Sequence, residues 1–283
     1  MVEANISVHL DGLGMHTGAS AWLVARALPN GAGRWIVQGN QRSQITPDKL
    51  TCRDRCSRWN GIGPLEHVSA GFLLAGIADW SLECDAEDLP LGDGSAQAFA
   101  GISQRAVPLR RVEAFAVRLE RPDGGYLEAS SADALQICSG WGRGERIESW
   151  CCDESSLPQC RDARTFIRCE DYCEARQAGL LSGCGREQGR LLGPAGTPAT
   201  AALAAEMGIA PSSLDWSLEP ARMASECAAH KVLDLVGDLG LWLGFLPRLE
   251  IKMENAGHAQ FHELGRRLLE AIRVPDGLSR RVC

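Results

Sequence analysis

The stretch Glu226-Cys-Ala-Ala-His230-Lys231-Val-Leu-Asp234-Leu-Val-Gly-Asp238 carries the residue types most able to do chemistry. Read as a helix, it repeats His230, Asp234 and Asp238 every four residues and so gathers them on one face. Val232, Leu233, Leu235, Val236 and Leu239 surround that polar stripe. An imidazole and a carboxylate one turn apart can reach the same metal ion. The same spacing also serves a buried histidine held by an aspartate, so the pair alone leaves both readings open. The rest of the chain supplies Glu66-His67 and a late His258. Two histidines and one carboxylate are the protein ligands of a catalytic zinc site, whose fourth position is left to water. Zinc brings the pKa of that water towards neutrality. Glu66, adjacent in sequence to a ligand, can take the proton of such a water, and a second titratable group can protonate a leaving amine. The H-E-x-x-H helix of zinc proteases is absent.

Several elements must converge to position these groups. Strands are predicted over residues 5–10, 21–27 and 35–38, with a polar Cys/Arg-rich loop or short hairpin over 51–61. Pro64 suits the first turn of a strongly apolar helix running to Ile77, which would start beside Glu66 and His67. A strand over 80–84 and a turn at Asp93-Gly94-Ser95 leading into a second helix complete residues 1–107 as one unit. Pro108 to Arg111 reads as a linker into a second unit, 112–283. Strands are predicted there over 114–119, 126–130, 146–152 and 248–252, and helices from about 169 to 177, over 199–207, through His230 and over 263–272. The Gly/Pro/Ser-rich residues 193–222 read as an excursion from the main fold. The second half repeats the plan of the first, an antiparallel sheet with helices on one face. The predicted class is α+β.

The chain has 283 residues, 45% of them hydrophobic and 23% charged, with a net charge of −7. That balance describes a soluble globular protein and disfavours nucleic acid or an anionic membrane as principal partner. No basic-then-apolar leader and no span long enough for a bilayer is visible, so the expected location is cytoplasmic. Twelve cysteines are then expected as reduced thiols rather than a disulfide framework. Six of them fall between Cys151 and Cys184 without paired C-x-x-C units, so a second metal site there has no standard framework.

Six motifs in order carry a family resemblance: Gly12-Leu-Gly-Met-His-Thr-Gly18, Leu65-Glu-His-Val-Ser-Ala70, Asp93-Gly-Ser-Ala96, Ala163-Arg-Thr-Phe166, His230-Lys-Val-Leu-Asp234 with Gly237-Asp238-Leu239, and Gly257-His-Ala259. In these the chain resembles the UDP-3-O-acyl-N-acetylglucosamine deacetylases of lipid A biosynthesis, the LpxC family. The resemblance implies two similar domains, each a sheet layered with helices, with the active site between them. It implies Zn2+ held by His67, His230 and Asp234, with Glu66 as general base. His258 matches the residue that stabilises the oxyanion or protonates the amine, and Asp238 the carboxylate that orients it. Thr165 is similar to the residue whose hydroxyl polarises the substrate carbonyl. Lys231 and Phe166 resemble substrate contacts, the lysine towards the nucleotide or sugar end of an N-acetyl sugar, nucleotide-linked in the family.

The chain also departs from that pattern. The family's Thr-Phe-Gly-Phe is Thr165-Phe166-Ile167-Arg168 here, and its Gly-Gly-Ser-x-x-Asn-Ala segment is reduced to Gly183-Cys-Gly-Arg-Glu-Gln188. Residues 193–222 are longer by roughly twenty, a length that marks function or disorder. Where the family builds its acyl-chain passage, the polar Gly140-Trp-Gly-Arg-Gly-Glu-Arg-Ile-Glu-Ser149 stands instead. Two alternatives follow: a deacetylase of the same kind acting on a less lipophilic N-acetyl sugar or nucleoside intermediate, and a catalytically silent relative that binds a nucleotide sugar. Loss of catalysis usually erases a ligand or the base, and here every one of them is present.

Overall fold

A computed structural model describes residues 7–99, 101–102, 105–143 and 146–273. Residues 5–6 of the expected first strand, Gly144-Glu145 of the polar stretch, and Cys283 lie outside these. The chain runs β1 (Ser7–Leu13), β2 (Ser20–Ala27), β3 (Trp35–Gln38), β4 (Gln41–Gln44), β5 (Leu50–Arg53), β6 (Cys56–Trp59), α1 (Glu66–Leu74) and β7 (Trp80–Cys84). It continues through β8 (Leu109–Arg111), β9 (Ala116–Glu120), β10 (Tyr126–Ser131), β11 (Gln136–Arg143), β12 (Arg146–Asp153), β13 (Phe166–Arg168) and α2 (Cys169–Gln177). The last elements are β14 (Arg190–Leu192), α3 (Pro198–Glu206), α4 (Glu226–Leu243), β15 (Leu246–Glu254) and α5 (His258–Arg273).

Eleven of the strands form two larger sheets of one design, while β5 with β6 and β13 with β14 pair separately. The first has the order β1-β2-β7-β3-β4, and the second β9-β10-β15-β11-β12, with β8 added beside β15. In each, four strands are followed by a helix, α1 or α4, and the strand after that helix enters the middle of the sheet. That entry explains a difference from the antiparallel sheets expected, because β3 pairs with β7 and β11 with β15 in parallel. A crossover through a helix returns the chain in the same direction, which a hairpin cannot do. The fold is α+β, as expected.

One buried cluster joins the inner faces of both sheets to α1, α4 and α5, through residues such as Leu23, Leu82, Phe72, Leu233, Leu127, Ile251 and Phe261. Every residue of α1 is buried, as are all of α4 from Glu226 to Leu241 except Lys231. A helix buried on nearly every side is what a position between two layers requires, and its polar residues then face one shared site. The contact of α1 with α4 depends on small residues. A Cβ on Gly237 would fall within contact distance of the Glu66 main-chain oxygen, and one on Gly240 would meet Ser69 Oγ. Gly237→Ala therefore forces the helices apart and should cost about 1–3 kcal/mol of stability, read as a lowered midpoint in denaturant. An unchanged midpoint would contradict this packing.

Several local expectations are corrected. The helix expected after Asp93 is only a short 3₁₀ turn, Gln97–Phe99, among the described residues. Asp93 Oδ1 accepts from the Ser95 N–H at 2.9 Å and the Ser95 hydroxyl at 2.7 Å, and this local turn competes with helix formation. The expected linker at 108–111 contains β8, which pairs with the start of β15. Pro64 precedes the helix rather than opening it, in a cis peptide after Gly63. β11 lacks a strand signal in the sequence because Gly140 and Gly142 interrupt its pattern. The thiols are not all reduced: Cys138 and Cys151, opposite one another across β11 and β12, form a disulfide, while nine other described cysteines take part in none. No described helix is long and apolar enough to cross a membrane.

Candidate functional site

The β5–β6 hairpin, the start of α1, the middle of α4 and the start of α5 meet around a cleft of about 620 Å³. Glu66, His67, Thr165, Phe166, Lys231, Asp234 and His258 all line it. Asp238 lies behind His258 and is fully buried. The nine expected site residues, distant in sequence, thus share one place.

At its floor, ligand atoms of His67, His230 and Asp234 all lie within 4.8 Å of one another, a grouping that can hold a metal ion. Asp234 Oδ1 is 3.1 Å from His230 Nε2 and 3.7 Å from His67 Nε2. The two imidazoles stand edge to face, 5.1 Å between centroids. His230 Nδ1 donates to the Ala163 carbonyl at 3.0 Å, which fixes the tautomer and leaves the Nε2 lone pair directed at Asp234. His67 Nδ1 is buried with no protein partner. The Nε2 atoms of both imidazoles face Asp234 Oδ1, a convergence of donor atoms that a cation would satisfy.

The charge states suit the same occupant. Burial holds the His230 pKa below its ordinary value, against the pull of Asp234, and so favours the neutral ligand form. Burial by itself would raise the Asp234 carboxyl, but His230, Lys231 and His258 outweigh it and hold it well below the usual carboxylate range. Lys231 Nζ donates to Asp234 Oδ2 at 2.8 Å and lies over the Phe166 ring. Phe166 packs edge-on against Trp141 at 4.6 Å, so the aromatic wall of the cleft continues into β11. Thr165 is held through its backbone, its N–H donating to the Gly94 carbonyl at 2.6 Å.

Across from the trio stands an acid–base pair. Glu66 Oε2 accepts from the N–H groups of Ser57 at 2.9 Å and Leu65 at 3.1 Å. Its other oxygen, Oε1, is 3.8 Å from His258 Nε2. His258 Nδ1 donates to Asp238 Oδ2 at 2.8 Å. Burial works against the imidazolium, yet Asp238, then Asp234 and Glu66, raise the His258 pKa to about 9. Asp238 itself is lowered to about 2; burial opposes this, and His258 and His262 prevail.

Two further residues of the site, Ser57 and His262, are not among those the sequence singles out. The Ser57 hydroxyl donates to Asp238 Oδ1 and lies 2.7 Å from His262 Nε2, while its N–H holds Glu66. One residue of β6 therefore ties together the carboxylates of both proton-handling groups. His262 has a sequence signal, its spacing of four from His258 on α5. Ser57 has none, because half of its contribution is a main-chain N–H.

The model of the family described as LpxC, UDP-3-O-acyl N-acetylglycosamine deacetylase, matches residues 4–122 and 204–270. The UDP-3-O-acyl-N-acetylglucosamine deacetylase of Trichormus variabilis is 25% identical, over 91% of this chain and 94% of its own length. Those of Chlamydia trachomatis (26%; 93% of this chain and 92% of the relative) and Chlamydia felis (26%; 94% and 95%) are similar to it to the same degree. With the family model matching well over half of the chain, and relatives aligning along nearly all of it, this protein belongs to the LpxC family of deacetylases.

Proposed function

We propose that this enzyme removes the acetyl group from the nitrogen of a UDP-linked 3-O-acyl-N-acetylglucosamine, the family's step in lipid A biosynthesis, using Zn2+ held by His67, His230 and Asp234. The observation that carries this reading is one cleft holding a three-donor metal grouping beside the Glu66 carboxylate and the His258 imidazole. A zinc ion bound there supplies a Lewis acid for the amide oxygen and acidifies a water.

The chain's own residues do the rest. Glu66 Oε1, left open because Oε2 is engaged by two N–H groups, accepts the proton of the attacking water. His258 Nε2 faces the cleft as an imidazolium, stabilises developing negative charge and delivers a proton to the departing amine. Asp238 holds that ring through Nδ1 and keeps it charged. Thr165, on the cleft wall, is assigned to the substrate carbonyl, and Lys231 and Phe166 to the sugar or its anionic handle. The three-donor grouping and both proton-handling groups are intact, which favours turnover over a silent binding role.

The test is mass spectrometry of the purified protein with UDP-3-O-acyl-N-acetylglucosamine. The expected product has lost one acetyl group and gained a free amine. An unchanged sugar, with metal supplied, would overturn the reading.

The proton donor makes a further expectation. Since His258 is raised to about 9 by carboxylates, and a cation at the trio offsets Asp234, the alkaline limb of kcat/KM should lie at or below about 9. Activity is lost as pH rises through that limb, because the imidazolium is the active form. Asp238→Asn removes the strongest stabiliser of the imidazolium and should move the limb to lower pH. A limb that stays in place in this variant would remove His258 as the acid.

A further inference from the structure

Asp238 is fully buried and faces two histidines that stand one turn apart on α5, His258 and His262. Its Oδ2 accepts from His258 Nδ1 at 2.8 Å, whereas its Oδ1 is 3.6 Å from His262 Nε2, beyond hydrogen-bond distance. A carboxylate with two imidazoles in reach thus pairs with one of them. Only His258 lines the cleft, so the choice between the two rings decides whether the proton donor is held.

The Ser57 hydroxyl stands at the point where that choice is made. It meets Asp238 Oδ1 and lies 2.7 Å from His262 Nε2 and 3.5 Å from His258 Nδ1. A hydroxyl has one proton and two acceptor lone pairs, while an ionised carboxylate only accepts. The proton of Ser57 therefore goes to Asp238, and its oxygen accepts from His262 Nε2–H. The His262 ring is backed by Trp242, which stands edge-on to it at 6.0 Å. Each oxygen of Asp238 then has its own donor, and His262 is satisfied without taking the carboxylate. Ser57 can hold this place because its main chain is pinned. Its N–H donates to Glu66 Oε2 at 2.9 Å, its carbonyl accepts from the Leu65 N–H at 3.0 Å, and every residue of β6 is buried.

We infer that Ser57 is a positioning residue whose hydroxyl, set between Asp238 and His262, directs the carboxylate to His258 and so keeps His258 Nε2 aimed into the cleft opposite Glu66. The inference rests on the deacetylase reading, in which His258 is the proton donor. Without the hydroxyl, Asp238 Oδ1 is a buried acceptor lacking its donor, a costly state. The nearest replacement is His262 Nε2. Turning the carboxylate towards it draws Oδ2 away from His258 Nδ1 and frees that ring to rotate. A misplacement of about 1 Å in a reacting group costs on the order of a hundredfold in rate. Glu66 keeps its orientation throughout, since Ser57 holds it by the main chain.

The test compares the zinc-loaded enzyme with Ser57→Ala, Ser57→Thr and the double variant Ser57→Ala/His262→Phe, by crystal structure and by kinetics with UDP-3-O-acyl-N-acetylglucosamine. In Ser57→Ala, Asp238 is expected within about 3.2 Å of His262 Nε2 and no longer bonded to His258. Its kcat should fall by about ten- to a hundredfold, with KM and zinc content close to those of the unsubstituted enzyme. Ser57→Thr keeps the hydroxyl and should recover most of that loss. In the double variant the competing donor is gone, so Asp238 should return to His258 and kcat should rise above that of Ser57→Ala. An Asp238 that stays on His258 Nδ1 in Ser57→Ala overturns the inference. So does a loss of rate that neither Ser57→Thr nor the removal of His262 reverses. Failure of the deacetylase reading looks different: none of the four proteins would release acetate, while the crystal structures would still show which histidine Asp238 holds.

Discussion

Glu66→Gln is expected to keep its metal and to lose turnover on the order of a hundredfold or more, the usual contribution of a general base. The substitution preserves the acceptor oxygen that can receive the Ser57 and Leu65 N–H groups. It changes only the ability to take a proton at the other atom. Loss should therefore appear in kcat, with KM and metal content close to those of the unsubstituted enzyme. Metal analysis beside steady-state kinetics checks this. A rate near normal would place the base elsewhere, with His258, 3.8 Å away, the next group in reach.

The second large effect is expected from His230→Ala. Its Nε2 lies 3.1 Å from Asp234 Oδ1, and its other nitrogen is anchored on the Ala163 carbonyl, so no neighbour can replace it. Changes to groups that merely orient metal ligands typically cost 10–100-fold in metal affinity or activity, and loss of a ligand itself should cost about a hundredfold or more in both. Asp234 is then left buried beside Lys231, with one partner fewer. Zinc content measured after dialysis should fall well below one per chain. Full occupancy, with the free thiols alkylated so that they cannot bind metal, would remove His230 from the ligand set.

The helical stripe His230–Asp234–Asp238 is readable from spacing alone, because a helix converts a period of four into a shared face. Glu66, His67 and His258 are not connected to it by any local pattern. Motif resemblance linked them, and the physical link is the close contact of α1 with α4 at Gly237, a non-local fact. The repeated plan of the two halves is legible in outline, since strand patterns flank each buried helix. Its parallel pairs, β3 with β7 and β11 with β15, are not, because pairing partners distant in sequence leave no periodic trace. β11 is hidden by its glycines, and the helix expected after the Asp93 turn gives way to a short 3₁₀ turn where side-chain hydrogen bonds override an otherwise helical composition. Ser57 shows the same limit at the site itself: a main-chain N–H that orients the base has no residue type to betray it. The excess length of 193–222 is visible in the sequence, but the small core around Trp216 appears only once it is seen buried against Leu191 and Cys169.

The most direct measurement is a zinc titration of metal-depleted enzyme, following acetate release from UDP-3-O-acyl-N-acetylglucosamine. The account predicts no release without metal, a linear rise, and saturation at one equivalent of zinc per chain, with the rise lost in His230→Ala. Acetate release that persists at full rate without metal, or that is indifferent to His230, would contradict it.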